Sequence, residues 1–113
     1  MCSQNQLNSI LSSVARSARE SLGDRLREVI LYGSYARGDY ESDSDIDIMV
    51  LADIPAEECR MYWKRMSDEI DRLSLEHDIV ISVHIKDCYT FDKWFSVLPF
   101  YQGVRRDGVS VGI

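Results

Sequence analysis

A chain of 113 residues with a net charge of −6 reads as one domain, residues 1–113, able to bury roughly two-thirds of its unfolded surface around a single core. The acidic balance argues against nucleic acid as the main partner, because a surface that follows a phosphate backbone needs a basic stripe. Cys2, Cys59 and Cys88 are too widely spaced for a zinc pattern or a disulfide framework, and the lack of a membrane-length apolar run or a signal-peptide shape makes the expected location cytoplasmic.

Leu7, Ile10, Leu11, Val14, Ala15, Ala18 and Leu22 recur at steps of three and four. They predict a packing helix over residues 4–22, stopped by Gly23. A buried strand follows, Val29 to Tyr32, then a glycine-bounded turn from Gly33 to Gly38 and a polar connector over residues 39–44. The second strand, Asp45 to Leu51, begins with two carboxylates. Alternation along a strand sends Asp45 and Asp47 to one side and Ile46 and Ile48 to the other.

Two carboxylates side by side repel each other unless a cation sits between them. Oxygen ligands with open positions suit Mg²⁺, which is usually held by one or two carboxylates plus substrate phosphates. Gly33 lets the backbone turn sharply and a phosphate approach, while Ser34 offers its N–H and its hydroxyl. Arg37 adds a fork of donors. The stretch therefore points to phosphate chemistry.

Two better-known motifs fail here. Gly33 and Gly38 have the glycine spacing of a Walker A loop, but Asp39 and Tyr40 stand where Lys and Ser/Thr are needed. Asp43, Asp45 and Asp47 imitate the first ligands of a calcium EF-hand, but its sixth position is Ile48 and its twelfth Ile54.

Further on, Asp53-Ile54-Pro55 predicts a helix start, with the helix running to about Leu75 and burying Cys59, Tyr62, Trp63, Met66, Ile70 and Leu73. A strand over Asp78 to Ile85 then carries Asp78, Val80, Ser82 and His84 on its polar face. Thr90 is the expected cap of a short helix, Phe91 to Leu98, which Pro99 ends; residues 100–113 add an edge strand or wrap the sheet. Trp94, Phe95, Leu98, Phe100 and Tyr101 are expected to be mostly core. The fold class is α+β, with a small mixed or antiparallel sheet and helices packed on one face. Strand-helix alternation alone equally allows a parallel α/β sheet.

The pattern Gly33-Ser34 with Gly38 after an apolar strand, followed by Asp45-Ile46-Asp47 opening the next, resembles the nucleotidyltransferase superfamily that includes DNA polymerase β. Within it, the chain resembles the minimal nucleotidyltransferases found as antitoxins beside HEPN toxins. The resemblance implies a polymerase β-like core and an Mg-dependent transfer of a nucleoside monophosphate, AMP from ATP before other triphosphates, onto a hydroxyl. It implies that Asp45 and Asp47 are catalytic metal ligands and that Gly33, Ser34, Arg37 and Gly38 hold the nucleotide. The family adds a third carboxylate, base or metal ligand, from the strand after the helix. Asp78 is the carboxylate available for that role, and Ser82 occupies the more central position. By the same resemblance the acceptor is a tyrosine hydroxyl of a HEPN toxin, a ribonuclease that the modification silences. The alternative is an antitoxin that neutralises its partner by contact without catalysis.

Overall fold

The computed structural model describes residues 3–41 and 43–111. Cys2, Ser42 of the acidic connector, Gly112 and Ile113 lie outside the described residues. In chain order the elements are α1 (Gln4–Leu22), β1 (Leu26–Tyr32), α2 (Ser34–Arg37), β2 (Ile46–Ala52), α3 (Cys59–His77), β3 (Ile81–Asp87), α4 (Cys88–Trp94), α5 (Pro99–Asp107) and β4 (Val109–Ser110).

The four strands lie in the order β3-β2-β1-β4. β1 is antiparallel to both β2 and β4, whereas β3 runs parallel to β2. A parallel pair needs a crossover, and α3 supplies it. The sheet is therefore mixed and the fold α+β, as the sequence leads one to expect.

α1 opens with a capping box: Ser3 Oγ accepts the Gln6 N–H at 3.1 Å, and Gln6 Oε1 accepts the Ser3 N–H at 3.0 Å. Its buried stripe of Leu7, Ile10, Val14, Ala18 and Leu22 meets Tyr62, Met66, Ile70 and Leu73 of α3 over one face of the sheet. Val29, Leu31, Ile46, Ile48, Val50, Val83 and Ile85 complete this core from below. Trp63 keeps its ring partly exposed and donates Nε1–H to the Val83 carbonyl of β3 at 3.0 Å, so part of that edge strand is already satisfied.

The second face departs further from expectation. Ile30, Tyr32, Met49 and Leu51 form a smaller cluster there with Phe91, Tyr101 and Val104, so the two long helices share one face while the short C-terminal helices cover part of the other. Pro99 opens α5 instead of ending a helix, because proline fits the first turn of one element as well as the end of another. The cap of α4 is Asp87, whose Oδ2 accepts the Thr90 N–H at 2.9 Å, and not Thr90 itself. Tyr101 is buried, but Trp94, Phe95, Leu98 and Phe100 are exposed, contrary to the reading of this aromatic group as core.

One boundary matters for the site. α3 runs on to His77, and Asp78 ends it in the left-handed region at φ 52°. The Asp78 and Ile79 N–H groups both return to the Ser74 carbonyl, a helix ending that Asp tolerates better than most residues. β3 begins only at Ile81.

Asp87 is the buried charged residue at the joint between β3 and α4. Asp87→Ala is expected to lower unfolding free energy by about 1–2 kcal/mol, whereas Asp87→Asn, which keeps a capping oxygen, loses less than half of that; urea denaturation of the two variants checks it.

Candidate active site

Tyr32 ends β1, and Gly33 turns the chain at φ 75° and ψ −157°. The Gly33 carbonyl then accepts the Ala36 and Arg37 N–H groups, both at 3.1 Å, and the Ser34 carbonyl accepts those of Gly38 and Asp39 at 2.9 and 3.2 Å. Gly38, at φ 83°, closes this single turn of helix.

Strand register brings the next residues together. The antiparallel pair sets Tyr32 opposite Asp47, and the parallel pair sets Asp47 opposite Ser82. β2 begins at Ile46, one residue later than expected, so Asp45 lies exposed just ahead of the strand; Ile46 and Ile48 are fully buried beneath, and Asp47 points away from the α1/α3 core. A Cβ added to Gly33 would overlap Asp47 Oδ2 and lie 3.3 Å from its Cγ. The turn and the acid are thus in direct contact.

The electrostatics follow from this crowding. Burial, then the charge of Asp45, push the Asp47 carboxyl above its usual 3.8, while His84 and Arg37 oppose the rise. Asp47 is half-buried and Asp45 exposed; two acids within reach of each other's charge form a donor set suited to a hard divalent cation. Among the described residues no group of three or more His, Cys, Asp or Glu could hold a metal on protein ligands alone, so remaining positions would fall to a substrate or water. The Tyr32 phenol is pushed up to about 12, first by burial and then by Asp47. It stays a neutral hydroxyl at any physiological pH. Its ring lies 6.4 Å from that of His84 and meets Phe100 edge-on at 5.8 Å.

The candidates named from sequence divide accordingly. Gly33, Ser34, Gly38, Asp45 and Asp47 gather at one end of the β1–β2 pair. Arg37 stands beside them, with Nε 3.2 Å from Asp39 Oδ2 and its charge felt at Asp47. Asp78 does not share the strand face, because the strand starts later than expected. It lines an open groove of about 530 Å³ that Asp45 also borders, between the start of β2 and the end of α3. The β3 residue level with Asp47 is Ser82. Sequence reasoning left Tyr32 in the buried strand and His84 on the polar face of its strand as a surface or core-edge residue, and it missed α5 entirely. The overlooked signal for α5 was Tyr101 and Val104 three apart after Pro99 and before Gly108.

A glycine turn pressed against the Asp47 carboxylate, with Asp45 just before the same strand of a mixed sheet, is an arrangement compatible with nucleotidyl transfer. The family described as "Nucleotidyltransferase domain" matches residues 11–101, and the chain belongs to it. It is 32% identical over 84 residues to the "Putative protein adenylyltransferase MJ0604" of Methanocaldococcus jannaschii, across 74% of this chain and 76% of that protein. It is 40% identical over 50 residues to the "Protein adenylyltransferase MntA" of Thermococcus cleftensis, covering 44% of this chain and 48% of the relative. In fold it is similar to a crystallised toxin-antitoxin with AMP-PNP, at a TM-score of 0.57 and 20% identity over 90% of this chain and 72% of that one. Among the described residues no helix is long and apolar enough to cross a membrane.

Two outcomes test this geometry. Gly33→Ala meets both a left-handed backbone and the Asp47 carboxylate, so it is expected to cost at least about 1–2 kcal/mol of unfolding free energy, measured by urea denaturation. For Asp47 the folded-state pKa lies above the unfolded one, so the metal-free native state binds more protons in between, and stability falls as pH rises through that window. Asp47→Asn is therefore expected to raise the melting temperature of the metal-free protein at neutral pH, with the gain vanishing below the unfolded carboxylate range near pH 3.8.

Proposed function

We propose that this nucleotidyltransferase acts as an antitoxin in the cytoplasm, moving AMP from ATP onto a hydroxyl of a partner HEPN toxin and so silencing it. The observation that carries the reading is Asp47 near the start of β2 with the Gly33 turn directly against it and the charge of Asp45, just ahead of the strand, felt at its carboxylate. Relatives named protein adenylyltransferases support a protein acceptor. So does the exposed apolar surface of Trp94, Val97, Leu98 and Phe100 on the α4–α5 segment, of a kind that partners cover. Residues 1–113 act on this reading as one minimal domain, so the acceptor is recognised through its own protein surface and not in a deep pocket.

Asp45 and Asp47 would hold Mg²⁺, which when bound neutralises triphosphate oxygens and the charge developing on the leaving pyrophosphate. The turn at Gly33 and Ser34 holds the β- and γ-phosphates, Ser34 through its hydroxyl and N–H, and Arg37 exchanges Asp39 for a phosphate oxygen. The acceptor oxygen attacks the α-phosphorus, the bond to the bridging oxygen of the β-phosphate breaks, and the acceptor's proton passes to water. Asp78, which ends α3 and borders a groove with Asp45, takes no part in the transfer on this reading, because it lies ahead of β3 and not level with Asp47.

Ser82 level with Asp47, where the resembled family has a carboxylate, favours the second reading, neutralisation by contact alone. Incubation with labelled ATP, Mg²⁺ and the partner toxin separates the two. Under the first reading label reaches the toxin, and both Asp45→Asn and Asp47→Asn abolish transfer while toxin binding persists. Toxin protection without label, unaffected by either substitution, would replace it with the second. Asp78→Asn is expected to keep transfer within a few fold of wild type; a loss of about a hundredfold would make Asp78 the third acid after all.

A further inference from the structure

A second cleft, of about 310 Å³, opens beside the same turn and is not lined by Asp78. Tyr32, Gly33 and Arg37 form one wall, and Phe100, Gly103 and Arg106 of α5 face them. Gly33 touches both this space and the Asp47 carboxylate, so one residue separates the cleft from the acid.

Among the described residues its two guanidiniums pair with near neighbours in the chain, one of which, Asp107, also lines the cleft. Arg37 Nε lies 3.2 Å from Asp39, and Arg106 makes two contacts of 3.1 Å with Asp107. Exposed pairs of this kind are weak and screened by salt, so either guanidinium is free to turn toward an anion of higher charge. The two also share one field: Asp107 is drawn below its usual carboxylate range first by Arg106, and Arg37 contributes as well.

Gly103 adds an independent observation. It sits inside α5, where glycine is poorly suited to a helix, yet a Cβ there would meet nothing nearer than the Arg106 guanidinium at 3.9 Å. No packing contact demands a glycine. A side chain at this position would instead stand in the cleft.

We propose that the cleft between the β1–α2 turn and α5 receives the polyphosphate tail of the nucleoside triphosphate, with Arg106 as a second phosphate-holding guanidinium facing Arg37 and Gly103 as the open floor. Planar guanidiniums grip phosphate oxygens two at a time, and Phe100 against Tyr32 closes the apolar side. The inference rests on the nucleotidyl-transfer reading and extends it to an element outside the glycine turn and the paired acids.

The test is isothermal titration of the full chain, in Mg²⁺, with ATP, tripolyphosphate and AMP. Arg106→Gln and Gly103→Leu are each expected to weaken ATP and tripolyphosphate by about tenfold or more, the worth of a hydrogen bond to a charged group, while AMP affinity moves less than about twofold. The melting temperature of Gly103→Leu is expected to match or exceed wild type, which separates a filled cleft from a damaged helix. ATP and tripolyphosphate affinities equal to wild type in Arg106→Gln overturn the inference, whatever Gly103→Leu does. If label transfer still depends on Asp45 and Asp47 in that case, the nucleotidyl-transfer reading survives alone; a wild-type chain that binds no ATP removes both.

Discussion

The contact between Gly33 and the Asp47 carboxylate depends on the register of β1 against β2. Leu31 pairs with Ile48 and Tyr32 with Asp47, which leaves the turn after Tyr32 level with the acid. Slipping β2 by one residue would drive Asp45 and Asp47 into the core and turn Ile46 and Ile48 to solvent. Fully burying each such isoleucine is worth about 1.5–3 kcal/mol, so the helices over Ile46, Ile48 and Val50 hold the acids outward more firmly than any contact within the site. The core sets the geometry of the chemistry.

That division of labour extends across both faces of the sheet. α1 and α3 cover one face completely, making β1, β2 and β3 a platform. On the opposite face α4 and α5 cover Ile30, Met49 and Leu51, while Asp47, Ser82 and His84 remain at the uncovered end. The site occupies the border between covered and open sheet. Tyr32 belongs to both regions: it is buried with the smaller cluster, and its hydroxyl is kept protonated in part by Asp47. A partly desolvated border of this kind strengthens charge interactions while leaving the site open.

The elements read from period alone were the ones whose burial is decided locally. α1 shows a clean helical stripe, and the alternation of Ile46, Asp47 and Ile48 needs no tertiary knowledge to orient it. The start of β3 was different. Residues 78–85 alternate as well from Asp78 as from Ile81, and only the return of the Asp78 and Ile79 N–H groups to Ser74 extends the helix and pulls Asp78 off the strand. Pro99 carries the same ambiguity, since its ring restricts Leu98 to extended backbone whether a helix has just ended or is about to begin. Consequently the motif was legible in the sequence, while the third-acid position and the α5 wall were not, because both depend on which elements pack beside the sheet.

Charge explains why the motif needs those additions. The chain is acidic overall, and at its centre the charge of Asp45 disfavours ionisation of Asp47. A triphosphate carries the same sign, so Asp45 and Asp47 would repel it if nothing lay between. Arg37 and His84 offset part of the field at Asp47, but Arg37 also answers to Asp39, and His84 sits two residues along β3 from the point level with the acid. Neither can neutralise two carboxylates and a phosphate chain together. On the proposed reading nucleotide and divalent cation therefore occupy the site as one unit, the acids taking the cation and the arginines taking the phosphates beyond its reach. A cation alone would leave Arg37 and Arg106 on their aspartates, and a nucleotide alone would meet the acids unshielded. Affinity for either partner should depend on the presence of the other, a coupling that follows from the sign of the charges on β2 and of those facing each other across the cleft.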